Sequence, residues 1–449
     1  MARDRYVEEV RSRKRDGGCS VTWKNWAGNE IANPLKVHRP QCESDIIAVI
    51  GYATALKQRV KVVGSGHSFT AIAVAPDHLV EMTRYNKVVG LNVERMEVTV
   101  ESGIVISELN EFLDDAGFAM PNLGDVTYQT ISGALSTSTH GTGALRTGLA
   151  AQVTAFRLVV ASGEVLQCSA TENADVFHCG RVGLGALGIL STITLRIVPA
   201  FRLHAIEEPM RVDTLLANLD AHVESNDFFE FYWIPHTGWA LTKRNNVTDK
   251  PADPPARVKT WINKMLLENI AFGALCYVGR TMPFLIPRLS KALPSSGKTE
   301  YVNASYRIFA SKRIVRFYEM EYSIRRDAVV EALNRVRRMV DDCGFLLNFP
   351  VEVRFTAGDD IPLSTGSGRD SAYIAVHVFK GMKYEPYFRE VEAIMSDYGG
   401  RPHWGKIHFK TAESLEPLYP EWKRYIEVRN RLDPEGVFTN DYLRRVLGR

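Results

Sequence analysis

Val62-Val63-Gly64-Ser65-Gly66-His67-Ser68-Phe69 joins a β-branched run to a Gly-x-Gly turn. The run reads as a buried strand, and residues without a Cβ let backbone amides approach a phosphate closely. Taken alone, the same residues also fit an ordinary tight turn, the commoner outcome after a strand. The flanking sequence fixes the fold class around them. Short β-branched runs at Arg59–Val63, Glu97–Val100, Val153–Val160 and Ile189–Val198 alternate with glycine-rich turns, and an amphipathic helix is expected at Ser44–Lys57. Trp23 to Val198 is therefore an α+β lobe. After Pro199 the texture changes to aromatic strand-like runs such as Phe228–Ile234 and charged helical ones such as Ser323–Asp341, with a proline-rich connection at Asp249–Arg257. A second lobe starts near residue 200.

Two further segments suit a large ligand. Asn122-Leu123-Gly124-Asp125, Gln129 to Gly133 and Ser136 to Gly143 are dense in glycine and hydroxyl residues, which donate hydrogen bonds from side chain and backbone. Interleaved Ile131, Ala134 and Leu135 imply a loop buried on one side, in need of polar partners, rather than a flexible surface loop. Gly183 to Gly188 formally matches GxGxxG, with Glu207 and Glu208 at the fingerprint distance. That fingerprint needs a helix after it, and here the strand-like run Ile189–Val198 follows. A glycine-rich turn against a flat ligand remains open.

Near the end of the chain, period-two alternation in Pro350 to Phe355 sets Val351, Val353 and Phe355 on one face and Glu352 with Arg354 on the other. The same logic pairs Tyr373 with His377, and Lys406 with His408 in Gly405 to Lys410. Three strands with polar faces describe either the floor of a cavity or a salt-bridged outer sheet.

Composition excludes several classes. Lys plus Arg total 55 against 52 acidic residues, so no nucleic-acid footprint appears in the net charge. Arg3 to Arg15 form a basic extension with no apolar run behind it, and Ile270–Pro287 is broken by Arg280 and prolines. No membrane span and a cytoplasmic location are expected. Six scattered cysteines without CxxC spacing read as reduced, and the histidine spacing suggests no metal site.

In order, GSGHSF, NLGD, ISG, THGTG, GALG, VEVRF, RPHWGK and LDPEGVFTNDYL resemble the sugar-1,4-lactone oxidase branch of the vanillyl-alcohol-oxidase-like flavoproteins. Gulonolactone, arabinonolactone and alditol oxidases are its members. The resemblance runs from Trp23 to Leu447. It implies a two-subdomain FAD-binding lobe (21–199), a substrate-binding cap with a large, mainly antiparallel sheet (200–408), and a C-terminal segment (409–449) returning to the FAD domain, after the extension 1–20.

The resemblance also implies site residues. FAD would lie on Val63, Gly64, Ser65, Gly66, His67, Ser68 and Phe69, covalently linked through His67. Gly124, Asp125, Ser132, Gly133, Ser136, Ser138, Thr139, His140, Gly143, Gly188, Ile189, His403, Lys406 and Asn440 would complete its cradle. Glu352, Arg354 and Lys406 would be catalytic, with Asp125 and His377 joining them on the substrate.

The implied reaction is oxidation of a hydroxyl on an aldono-1,4-lactone, with hydride passing to the flavin and electrons to O2, giving H2O2. Rivals are an alditol or tailored-sugar oxidase, and a dehydrogenase serving a cytochrome, quinone or dye. A non-catalytic flavin binder is disfavoured by the retained charged groups, which are costly to bury. Gly124 leaves room for oxygen at the flavin face. The segment Asp359–Asp370, with Thr365 to Ser367 less bulky than in relatives, is expected at the pocket entrance, where it would admit a substrate larger than a simple lactone.

Overall fold

The computed structural model describes residues 22–255, 271–291, 297–310 and 314–448. The basic extension 1–20 and part of the proline-rich connection lie outside the described residues. In Glu97–Glu101, buried Val98 and Val100 alternate with half-buried neighbours, and Ile189–Arg196 repeats the pattern. This is the signature of a sheet packed on one face. The two strands form the middle of a five-stranded antiparallel sheet in the order Val165–Ser169, Val153–Val159, Ile189–Arg196, Glu97–Glu101, Val88–Asn92. A smaller parallel sheet holds Lys36–His38, His78–Glu81 and Val60–Val63. Helix Glu43–Ala55 buries Ile46, Ile50 and Ala53 in one core with Val60, Val80, Val159 and Ile189, so it locks the two sheets together.

The second lobe is an eight-stranded sheet, antiparallel throughout, in the order Thr299–Ala304, Arg202–Arg211, Trp239–Thr248, Phe228–Trp233, Val351–Thr356, Ser371–Phe379, Phe317–Arg325, Arg401–Pro402. Its apolar face, with Phe229, Phe231, Val351, Val353, Ile374 and Met320, packs on helices Val212–Ala217, Val329–Asp342 and Glu385–Asp397. The chain then returns to the first lobe, where helices Trp422–Leu432 and Asp441–Leu447 bury Tyr425, Val428, Tyr442 and Leu443 in its core. No helix among the described residues is long and apolar enough to cross a membrane.

Four sequence expectations change. Besides the expected helix, the first lobe holds Ile106–Asp115, Ile131–Ser136 and Ala174–Gly180. Ser323 to Arg325 end a strand, and the charged helix starts only at Val329. Gly405 to Lys410 is a turn and irregular chain rather than a strand. Finally, Ser364, Thr365 and Ser367 are buried instead of rimming a pocket: Thr365 Oγ1 meets Ser138 Oγ at 3.2 Å and Tyr373 Oη at 3.1 Å. The loop therefore braces the sheet against residue 138, and it provides no extra room for substrate.

Candidate active site

The turn after Val60–Val63 opens a long cavity lined by Gly64 to Ser68, Thr130, Ser132, Gly133, Ser136, Gly183 to Gly185 and Leu187 to Leu190. A lining drawn from several separate segments suits a large ligand. Among the described residues no protein acceptor meets the backbone amides of Ser65, Gly66, His67 and Ser68. His67 is stacked on Trp26 at 5.4 Å between ring centroids, and its buried Nε2 has no hydrogen-bond partner among the described residues. Burial, aided by the charge of Lys406, pushes its pKa down to about 4. A buried imidazole nitrogen that is neutral and unpaired is free to act as a nucleophile or ligand. Close packing preserves the cradle. A Cβ at Gly64 would lie 1.9 Å from Thr130 Oγ1, and one at Gly188, where φ is +154°, would lie 2.6 Å from the Val159 carbonyl. Free amides, an orphaned imidazole and a glycine-lined wall fit a flavin dinucleotide.

A second cavity shares Gln129 with the first. Its floor is the polar face of the large sheet. Cross-strand pairs Tyr232 with Glu352, Arg354 with Tyr373 and Glu319 with His377 set these side chains on the face opposite the apolar core. All six residues of Val351–Thr356 are buried, which rules out an outer sheet face. Gly124, Asp125 and Thr139 from the first lobe line the same cavity, together with His403 and Lys406.

Two ionic clusters occupy that floor. In the first, Arg354 Nε bonds Glu230 Oε2 at 2.9 Å while its Nη2 pairs with Glu352, and Tyr232 Oη sits between Glu230 Oε1 at 2.9 Å and Glu352 Oε1 at 3.0 Å, with one proton to share between them. In the second, Lys406 pairs with Glu319, which also meets His377 Nε2 at 3.4 Å, and Glu321 meets His140 Nε2 at 3.3 Å. His140 in turn stacks on Tyr373, the ring centroids 3.5 Å apart.

Glu352 in the first cluster and the two glutamates of the second are shifted in opposite senses. Burial raises the Glu352 pKa and neighbouring Glu230 adds to the rise, outweighing Arg354. For Glu319, burial is outweighed by Lys406 and His377, so its pKa falls to about 2. Glu321 is likewise lowered, by His140 and Lys406 against the effect of burial. Despite burial, Glu319 and Glu321 raise the pKa of Lys406, and Glu230 and Glu352 raise that of Arg354, so both cations keep their charge.

Most residues carried over from the motifs meet at the two cavities. Gly64 to Ser68, Ser132, Gly133, Ser136, Gly188 and Ile189 line the first, and Val63 joins them. Gly124, Asp125, Thr139, His140, Glu352, Arg354, His377, His403 and Lys406 line the second. Phe69 lies under Lys406, whose Nζ is 5.7 Å from the ring centroid. Others are not brought there. Ser138 is turned to Thr365, and Gly143 packs near Arg146 and the Asp227 carbonyl. Asn440 Nδ2 donates to the carbonyls of Ala71, Ile72 and Val74 while its Oδ1 caps the last helix, so its amide is spent on the protein itself. His408 points away from Lys406 to Tyr442 Oη, 2.9 Å off.

Sequence reasoning missed Glu230, Tyr232, Glu319, Glu321 and Lys61. Alternation in Phe317–Arg325 would have placed both glutamates on one face, had the segment been read as a strand. Lys61 is buried, donates to the carbonyls of Gly185 (3.1 Å) and Phe438 (3.0 Å), and has its pKa pushed down to about 7 by burial. It ties the C-terminal segment to the glycine turn of the cradle.

Known proteins bear on this site. A family profile described as "FAD binding domain" matches residues 34–169, and one described as "D-arabinono-1,4-lactone oxidase" matches 193–446. The chain is 42% identical to an L-gulono-1,4-lactone dehydrogenase of Mycobacterium tuberculosis over 96% of its own length and 100% of that protein's. It is 35% identical to the L-gulonolactone oxidase of Bos taurus, covering 96% and 99% of the two chains. In fold it is similar to a solvent-stable cholesterol oxidase, with a TM-score of 0.80 at 18% identity over 97% of this chain and 100% of the other.

Proposed function

The chain belongs to the sugar-1,4-lactone oxidase family of FAD-binding proteins, and we propose that it oxidises the hydroxyl beside the carbonyl of an aldono-1,4-lactone to a ketone, with FAD attached to His67. The observation that carries this reading is the pair of buried carboxylate–cation clusters on one sheet face, next to a cradle with an unpaired imidazole. Bound FAD supplies the acceptor for a hydride leaving a carbinol carbon. The rest is the work of the protein. Lys406 and Arg354 hold positive charge where an alkoxide develops. Glu352 is the more basic carboxylate and takes the hydroxyl proton on an Oε atom, whereas Glu319 and Glu321 are committed to their cations. Asp125 and His377 line the same cavity and are suited to gripping the remaining sugar hydroxyls.

Dioxygen is the proposed electron acceptor, giving H2O2. Gly124 lines the catalytic cavity, and a Cβ there would sit 3.2 Å from both Thr139 Cγ2 and the His140 carbonyl. The relatives named above include both an oxidase and a dehydrogenase, so the acceptor is a separate question from the substrate. Anaerobic mixing with gulono- and arabinono-1,4-lactones should bleach the oxidised-flavin band, and admitting air should restore it with release of H2O2. Bleaching by alditols alone would move the reaction to open-chain polyols. Recovery with a quinone or dye but not with air would make the protein a dehydrogenase.

A further inference from the structure

Beyond the catalytic cavity, the polar face of the large sheet continues into an open-sided chamber. Asp125 and Arg354 line both spaces, so the chamber abuts the catalytic cavity across the Arg354–Glu230 pair. Its floor follows from strand register. Glu207 faces Lys243, which faces Glu230, and Lys243 Nζ lies 4.0 Å from Glu207 Oε1 and 3.9 Å from Glu230 Oε1. Asn245 and Tyr301 add an amide and a phenol to the lining. None of these groups lines the catalytic cavity itself, and a floor of alternating carboxylate, ammonium and amide is costly to cover unless something polar uses it.

We propose that this chamber is a second subsite, and that it receives a neutral, hydroxyl-rich extension of the substrate. The inference rests on the proposed oxidation of a sugar lactone and names its substrate class. Charge selects the ligand. Three carboxylates, Asp125, Glu207 and Glu230, face two cations, Lys243 and Arg354, that already pair with acids. A phosphate or carboxylate would meet net repulsion, whereas vicinal hydroxyls can donate to the carboxylates and accept from Lys243 and Asn245. Arg354, which lines both spaces, links the binding of the extension to the catalytic floor.

The test compares, on the holoenzyme, an aldono-1,4-lactone with the same lactone bearing one more sugar ring on its terminal hydroxyl. The expected result is a kcat/KM about tenfold higher for the extended lactone, an advantage that Glu207→Leu or Asn245→Leu abolishes while leaving the parent lactone within about twofold. Equal kcat/KM for the two lactones, or variants that depress both equally, would overturn the subsite. If the wild type oxidises neither lactone, the proposed reaction falls, and calorimetry still decides the chamber. A disaccharide alditol should then bind about tenfold tighter than a monosaccharide alditol in the wild type but not in Glu207→Leu. Equal binding of the two alditols would overturn the proposal.

Discussion

Glu352 and Glu319 are the same side chain on two strands of one sheet that flank Ser371–Phe379, both buried, and they titrate apart because of what stands opposite each. Glu352 shares its one cation with Glu230, whereas Glu319 has His377 beside it as well as Lys406, which it shares with the more distant Glu321. If Glu352 takes the substrate proton, kcat/KM should fall as pH drops through its raised pKa. Glu352→Gln should lower kcat by about 10² or more and remove that acidic limb; a limb that persists in the variant would move the base elsewhere.

The histidines give a second consequence. His67 and His403 are driven by burial to pKa values of about 4 and about 3, below the ordinary 6.5. The unfolded chain therefore binds more protons than the folded one once pH falls below 6.5. Stability is lost downward from there, by roughly 3 kcal/mol for each histidine at pH 4. Melting of the apoprotein should reveal a Tm that declines steadily below pH 6.5, and a flat Tm down to pH 5 would contradict the burial of these rings.

At the scale of the element, the cradle depends on one contact between a turn and a helix start. Thr130 caps helix Ile131–Ser136, its Oγ1 accepting from the Gly133 amide at 3.4 Å, and Gly64 leaves the space in which that hydroxyl sits. Gly64→Ala should expel the hydroxyl, cost about 1 kcal/mol or more through the lost cap, and lower FAD incorporation. In a double-mutant cycle, Thr130→Ala should relieve most of the damage; strict additivity of the two losses would mean that the clash is absorbed elsewhere.

This is also the scale at which the sequence is most and least legible. Strand Val60–Val63 and its turn, and Val351–Thr356 with its two faces, are readable because their alternation is clean and glycines punctuate them. Strand Phe317–Arg325 is not, because Glu319 and Glu321 beside Tyr318, Met320 and Tyr322 mix charge with apolar bulk as an exposed helix does. A buried polar face cannot be told from a solvated one until its partners, here Lys406 and His140, are known, and both come from distant segments. Gly405 to Lys410 fails for a related reason. Lys406 reaches the floor from a turn held by the His403 carbonyl, so alternation says nothing about where His408 points.

Across the whole molecule, neither lobe makes the site alone. The first lobe gives the glycine-lined cradle and His67, the second gives the charged sheet face, and the returning C-terminus is pinned to the cradle by Lys61 and Asn440. Lys406 is the hinge of this arrangement: it pairs with Glu319 of the sheet, lies over Phe69 and lowers the pKa of His67. The account therefore requires FAD to be seated where the lobes meet, bonded to His67. The measurement that tests this most directly is the absorbance spectrum of acid-precipitated, washed protein, wild type beside His67→Ala. Yellow flavin retained in the wild-type pellet and washed out of the variant is the expected result. A colourless wild-type pellet would contradict the covalent link, and a native protein without flavin colour would contradict the assignment of the cradle itself.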